Sequence, residues 1–371
     1  MNFFEEANSK LEKFLKDKLS SYHELRNYDY GIENHSNVSQ ISKYISHRII
    51  LEYDIIKKLK NYDKKKKFTD EILWRLYWRG YLEKHKSIWF EYKNFKEAPY
   101  NSNHLENANN GKTGIHCFDT WIDELRGNNY LHNHSRIWFA SIWIFTLKLP
   151  WQLGAKLFMK YLLDGDAASN TLSWRWVAGL HTNNKPYKAS KENINKYTFN
   201  RFQASSMNLS KLPIKTSYIK HHSNKLPSIK TSIKSNILMM FENDLNISNR
   251  SYLFNSYSRI YILCNVFIKE KSILSKNVIE FKYDLIKNIN KLIPNSEIIN
   301  SIDLYYKFNN LKSIDVIYPG IGHNLDLINE YSKRKNVEIN YILREEDLSY
   351  WNYADSGFYK FKKSLNEFNI I

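Results

Sequence analysis

The chain has 371 residues, 43% hydrophobic and 25% charged; this excludes a stapled mini-protein and a disordered chain and leaves room for two domains of the usual size, roughly 100–200 residues each. Only two cysteines occur, Cys117 and Cys264, which excludes a disulfide framework, a four-cysteine zinc site and a protein-ligated iron–sulfur cluster. Lys and Arg outnumber Asp and Glu by 55 to 38, a net charge of +17; that excess favours polyanion partners such as nucleic acid, although the Lys, Asn and Ile bias of an AT-rich genome accounts for it equally. The N-terminus, MNFFEEANSKLEKF, has no apolar h-region and reads as no secretory signal. Apolar and charged residues then alternate at helical spacing over Phe4–Leu19, Ile41–Lys60, Phe68–Glu83, Cys117–Leu125 and Ser135–Leu163. The longest apolar run, Ile137–Leu147, is too short to cross a bilayer, so a soluble, cytoplasmic protein is expected. From Phe202 to Ser235 the pattern dissolves into a polar, basic stretch with two prolines, which suits a linker. Beyond it, β-branched runs at Ile237–Phe241, Ile260–Val266, Ile314–Tyr318 and Val337–Leu343 alternate with helical stretches at Asn277–Leu292, Leu325–Lys333 and Phe358–Phe368, the pattern of βαβ units on a parallel sheet. The expected organisation is α+β overall: a helical domain over 1–205, a basic linker over 206–235 and a smaller α/β domain over 236–371.

Chemistry concentrates between Gly111 and Tyr187, in GKTGIHCFDTWIDEL, YLHNHSR, LLDGDAASNTLSWRWVAGL and KPYKAS. Asp164 and Asp166, one glycine apart, cannot share a helix face and read as a turn presenting two carboxylates. Arg136 lies in a helix otherwise rich in Trp138, Phe139, Trp143 and Phe145; a charge there needs a partner, and Asp164 is the natural one. Two carboxylates, an arginine and the amides of Asn133 and Asn170 offer donors and acceptors to a polar ring system within an apolar wall, the composition of a cofactor pocket. His132 and His134 beside the Asp pair are metal-ligand types, but this spacing is a weak metal signal and no metal is expected. Pro319-Gly320-Ile321-Gly322, between an expected strand and helix, suits a nucleotide phosphate or, more simply, a tight βα turn.

These blocks resemble the DNA photolyase/cryptochrome family. Glu71-Ile-Leu-Trp74-Arg75 is similar to its E-L-x-W-R helix, and Gly111-Lys-Thr-Gly114 to its G-x-T-G turn, followed by a helix over Asp119–Leu125. His132-Asn133-His134-Ser135-Arg136 is similar to its H-N-R-x-R, and Asp164-Gly-Asp166-Ala-Ala-Ser-Asn170 with Trp174-Arg-Trp176 to its D-x-D-x-A-x-N…W-x-W. The spacing between blocks also fits, and the resemblance covers about residues 20–205. It implies an N-terminal all-α photolyase-type FAD-binding domain followed by a Rossmann- or flavodoxin-like α/β domain. It further implies FAD contacts from Asn133 at the reactive edge of the flavin, from the pair Arg136 and Asp164, and from Asp166, Asn170 and Arg75. His35-Ser36-Asn37-Val38-Ser39 is similar to the family's T-S-x-L-S loop, which implies that Ser36, Asn37, Val38 and Ser39 hold the FAD diphosphate ahead of a helix. For a DNA lesion, the resemblance implies hydrogen bonds from Glu71 and Asn133 and stacking by Trp74 and Trp176, in keeping with base extrusion into an aromatic pocket. Trp174 and Trp151 match two members of the family's electron relay; core packing is the other reading of Trp74, Trp176 and Trp151.

Four departures stand out. No antenna domain is found ahead of the flavin motifs, the helices after the W-x-W block are short, His35 replaces Thr, and His134 replaces Arg. KPYKASKENINKYT is similar to the corresponding segment of members with an iron–sulfur cluster, but their four cysteines are lacking, so no cluster is expected; no antenna chromophore is assigned. The terminal relay tryptophan has no counterpart, Tyr100 and Trp89 being merely nearby. The implied function is light-driven repair of cyclobutane dimers in DNA carrying UV-induced pyrimidine dimers, with no membrane partner. The alternative is a cryptochrome-like blue-light receptor that signals to a protein partner through its C-terminal domain, and a third reading is a light-independent flavin protein. Asn133 leans toward repair of the cyclobutane product, the missing antenna domain leans toward the receptor, and His132 keeps a 6–4 lesion open.

Overall fold

The computed structural model describes residues 2–32, 34–96, 100–181, 185–203, 208–210, 221–228, 233–265, 274–308 and 311–371. It divides into two compact units, one formed by Lys13–Gln40 and Ser87–His221, the other by Met1–Glu12, Ile41–Lys86 and His222–Ile371. One cut falls inside the linker expected at 206–235, and the stretch Ile41–Lys86 groups with the C-terminal part. Within 206–235, residues 206–207, 211–220 and 229–232 lie outside the described residues, and the rest holds no helix or strand.

The first unit is helical throughout its described residues. Its main elements are Ser102–Asn110, His116–Asn128, Asn133–Ser141, Trp151–Tyr161, Ala167–Val177 and Lys191–Tyr197. Side chains at the helix starts supply the acceptors that the first N–H groups lack: Asn101 accepts from Asn103 and His104, Asp166 from Ser169, and Ser190 from Asn193. Gly111 ends its helix in the left-handed region at φ 62°, and Asp119 then gathers the Gly111–Gly114 turn by accepting from the backbone N–H groups of Thr113 and Gly114 and from the Thr113 hydroxyl. The core is built of aromatic rings, with Phe118, Trp121, Trp138, Phe139, Trp143 and Trp174 all buried. The continuous helix expected over Ser135–Leu163 is not formed. The chain passes through a wide turn at Ile142–Thr146, turns left-handed at Lys148 (φ 54°) and restarts after Pro150, whose ring cannot continue a helix.

The second unit is built on a five-stranded parallel sheet: β1 (Ile237–Phe241), β2 (Arg259–Cys264), β3 (Ser296–Asn300), β4 (Ser313–Ile317) and β5 (Glu338–Ile342), in the order β3-β2-β1-β4-β5. That is the Rossmann order, with the reversal between β1 and β4. Met239 of β1 pairs with Tyr261 and Val316, and β1 is buried on both faces from Leu238 to Phe241, which is why it reads as an uninterrupted apolar run. β3 was not expected; its residues, Ser-Glu-Ile-Ile-Asn, are too polar to announce a strand. The helix expected over Ile41–Lys60 is two helices, Ser42–Ser46 and Glu52–Leu59. Between them Arg48 adopts φ 51° and forms two 2.6 Å hydrogen bonds to Asp347 and a third, at 3.3 Å, to Asp244. Arg344 donates to Asp244 at 2.7 Å. These four buried charges tie the Arg48 turn to the carboxyl ends of β1 and β5, and no helical period predicts them.

Candidate active site

In the helical unit, Arg136 donates from Nε to the Leu131 carbonyl at 2.9 Å and from Nη2 to Asp164 Oδ2 at 3.0 Å, with its guanidinium 5.5 Å from the centre of the Tyr130 ring. The Asp164 turn is positioned by Asn129, whose carbonyl accepts from Leu163 and whose amide donates to Tyr161. Asp166 caps the Ala167–Val177 helix, accepting from Ser169 N at 2.7 Å. One turn on, Asn170 donates to the Ala155 carbonyl at 2.8 Å and joins that helix to Trp151–Tyr161. Asn133 is exposed at the first position of Arg136's helix, where His132 accepts from His134 N. The expected pair of Arg136 and Asp164 is thus formed, and Asp166 and Asn170 share one helix start.

The loop proposed for the diphosphate is a short 3₁₀ turn, His35–Asn37. Ser36 is exposed, Val38 and Ser39 are half-buried, and the buried Asn37 amide donates to the carbonyls of Leu25 and Tyr28. His35 lies parallel to His132, ring centres 5.8 Å apart. Burial takes the His132 ring down to about 4, outweighing the opposing pull of Asp29, so it is neutral at physiological pH. Asp29 itself is buried and accepts from the Ser135 hydroxyl (2.6 Å), Gly31 N (2.9 Å) and Arg201 (3.0 Å). Asp29 and Arg201 carry no motif, Ser135 stands only at the unspecified position of the His132–Arg136 block, and none was singled out from the sequence; only Gly31, left-handed at φ 90°, hints at a tight turn there. FAD, which the resemblance implies, needs donors for an anionic diphosphate and partners for a polar ring system. His35 Nδ1, Asn37 Oδ1 and His132 Nε2 are buried without hydrogen-bond partners, a condition that native structures resolve with a ligand or water. The residues present therefore fit such a group.

Trp174 is buried and packs so closely over Gly154 that a Cβ there would lie 2.2 Å from its ring; its ring neighbours include Phe158, Phe139 and Trp143. Trp151 stacks on Tyr92 at 5.7 Å, and Tyr92 lies 5.3 Å from Trp89. Tyr92 was also missed, because nothing in the sequence distinguishes it from other core aromatics. Trp176 is half-buried and stacks on Tyr187 at 5.7 Å.

In the other unit, Glu71, Trp74 and Arg75 lie on one face of the Lys66–Lys84 helix, at spacings of three and four. Glu71 is half-buried. Trp74 is stacked face to face on Phe358, centres 3.8 Å apart and planes within 6°. Arg75 Nε lies 3.9 Å and Arg79 Nε 3.8 Å from the buried carboxylate of Glu52, beyond hydrogen-bond length; Arg75 Nε and Nη2 and both Glu52 oxygens have no hydrogen-bond partner. Arg75 therefore keeps donors for an anionic group. The Pro319–Gly322 turn, by contrast, is filled by its own chain: Glu83 accepts from Tyr318 Oη and Ile321 N, both at 2.7 Å. Burial pushes the Glu83 carboxyl up to about 7 against these two donors. Glu83 thus takes the Ile321 N–H that an anion would need, which favours the tight-turn reading. Among the described residues, no three His, Cys, Asp or Glu side chains are arranged to hold a metal ion, and no helix is long and apolar enough to cross a membrane.

The model of a family described as the FAD binding domain of DNA photolyase matches residues 68–247. The deoxyribodipyrimidine photo-lyase of Buchnera aphidicola is 29% identical over 195 residues, 48% of this chain and 39% of that protein. That of Escherichia coli is 30% identical over 128 residues, 32% of this chain and 26% of its own length. The chain thus spans about two fifths or less of these relatives. Among solved structures, a cryptochrome from Synechocystis is 23% identical over 52% of this chain and 43% of its own, with a TM-score of 0.47. Over residues 68–247, just under half of its length, the chain is thus similar to the FAD-binding domain of DNA photolyase, and these matches support the photolyase/cryptochrome family.

Proposed function

We propose that the chain is a light-dependent DNA repair enzyme that binds FAD and splits cyclobutane pyrimidine dimers. The observation that carries this reading is the Arg136–Asp164 pair at 3.0 Å, in the same unit as the Asp166-capped helix that bears Asn170, Trp174 and Trp176. FAD, when bound and reduced, supplies the light-excited electron donor. Arg136, fixed by Asp164, presents a cation to the ring system; Asp166 and Asn170 add an acceptor and a donor. Ser36, Asn37, Val38 and Ser39 hold the diphosphate through hydroxyls and backbone N–H groups. Trp174 and Trp151 carry electrons toward the cofactor. Enzymes that act on a base take it out of the stack, photolyases among them; here Glu71 and Asn133 hydrogen-bond the extruded dimer while Trp74 and Trp176 stack on it. The names of the curated relatives, deoxyribodipyrimidine photo-lyases, support this substrate.

One observation favours the second reading, a blue-light receptor without repair activity that signals to a protein partner through the C-terminal part. Phe358 already covers one face of Trp74, and Tyr187 stacks on Trp176. The experiment that separates the two incubates purified protein with an oligonucleotide containing a thymine dimer, under blue light and in darkness. Repair predicts loss of the dimer in light only. A yellow protein that leaves the dimer intact in light is the receptor, and a colourless protein that cannot be reconstituted with FAD overturns both.

A further inference from the structure

Tyr28, Tyr30 and Phe199 form a three-ring patch on the helical unit. Phe199 lies 5.1 Å from Tyr28 and 5.2 Å from Tyr30, with its plane within 23° and 27° of theirs. The two tyrosines are 6.1 Å apart at 26°. Two rings therefore lie side by side and the third covers their seam. Tyr197 meets Tyr28 edge-on at 5.0 Å, bracing the patch from the helix that precedes Phe199. Phe199 remains 58% exposed. It is also presented on unusual backbone: Phe199 at φ 53° and Asn200 at φ 57° are consecutive left-handed residues, a conformation side chains rarely adopt. Asn200 N donates to the Asn195 carbonyl at 2.9 Å to close the turn. Left-handed backbone leaves the outer area of the Phe199 ring in water, and such strain gathers where a partner is bound.

The surrounding charge identifies the partner. Residues 185–196 carry Lys185, Lys188, Lys191 and Lys196 against the single acid Glu192, and Lys196 Nζ lies 5.1 Å from the centre of the Tyr197 ring; Arg201 is paired with Asp29. Aromatic faces set among cations bind single-stranded nucleic acid, the rings stacking on bases and the cations following the phosphates. A second copy of this chain, also at +17, is repelled by the same charge. We propose that Phe199, backed by Tyr28 and Tyr30, is a stacking platform for an unpaired base of a DNA strand, with the lysines of 185–196 along its phosphates. This contact needs neither FAD, light nor a lesion.

The test therefore uses the full chain in darkness and an undamaged, fluorescently labelled oligothymidylate, with binding followed by anisotropy across a salt series. Phe199→Ala is expected to weaken binding about tenfold, and Phe199→Trp to retain it. Phe199→Leu keeps the apolar bulk and the fold but is expected to lose affinity as the alanine variant does, which separates stacking from packing. Neither loss should alter the slope of log affinity against log salt, whereas Lys196→Ala should lower that slope by about one. Unchanged affinity in the leucine variant overturns the proposal. So does a change in sedimentation of Phe199→Ala, which assigns the face to a second copy. Dimer loss under light is measured separately, so failure of the repair reading leaves this result untouched.

Discussion

At Trp176, packing and the proposed stacking on a base meet in one side chain. It is half-buried, three positions before Gly179, and leans on Tyr187; the face turned from Tyr187 is the one proposed for a base. Trp176→Ala should weaken binding of a dimer-containing oligonucleotide about tenfold, the usual value of one base–aromatic stack, while the flavin content stays unchanged. Equal loss of both would make the residue a packing residue and remove it from the site. The pair of Arg136 and Asp164 was legible from sequence because a lone cation on an aromatic helix requires a counter-charge. The support beneath it was not: Asp29 accepts from Ser135 and Arg201, 106 and 172 residues further along the chain, and no local spacing records that.

Among the elements, the β1 and β5 carboxyl ends are held by charge rather than by apolar packing. Arg48, Asp244, Arg344 and Asp347 are buried and hydrogen-bonded to one another. Although burial works against ionisation, Arg344 and Arg48 hold Asp244 well below the usual carboxylate range. Removing one partner strands the others in a medium of low dielectric. Arg48→Met should therefore cost about 3–5 kcal/mol in urea unfolding; a cost below about 1 kcal/mol would show that the network is solvated. Helix identity was readable where one apolar face persists, as in Lys276–Asn290, but helix ends were not. The breaks at Arg48 and Lys148 come from left-handed residues whose conformation is set by distant partners or by a following proline.

Across the molecule, stability should depend on pH through buried carboxyls. Burial pushes the Glu83 carboxyl up to about 7 in the folded chain, from about 4.5 for an ordinary glutamate. Its favourable contribution is complete below about 4.5 and is lost as pH rises through 7, up to about 3 kcal/mol at roughly 1.4 kcal/mol per unit. Asp244 runs the other way, its contribution being lost only as strong acid is approached. The melting temperature should accordingly fall between pH 5 and 8 in the wild type and fall less in Glu83→Gln; parallel curves would show that Glu83 does not titrate in that range. The sequence by itself determined the helical region, the parallel α/β region and the Arg136–Asp164 pairing, because periodicity and isolated charges are local properties that survive in one dimension. Only the tertiary structure decided that Ile41–Lys86 packs with the α/β part, that Glu83 fills the turn after β4, that Phe358 lies on Trp74 and that Phe199 stands exposed over two tyrosines. Each of these joins residues far apart in the chain, and the free energy of such contacts depends on distance in space rather than on any spacing the sequence displays.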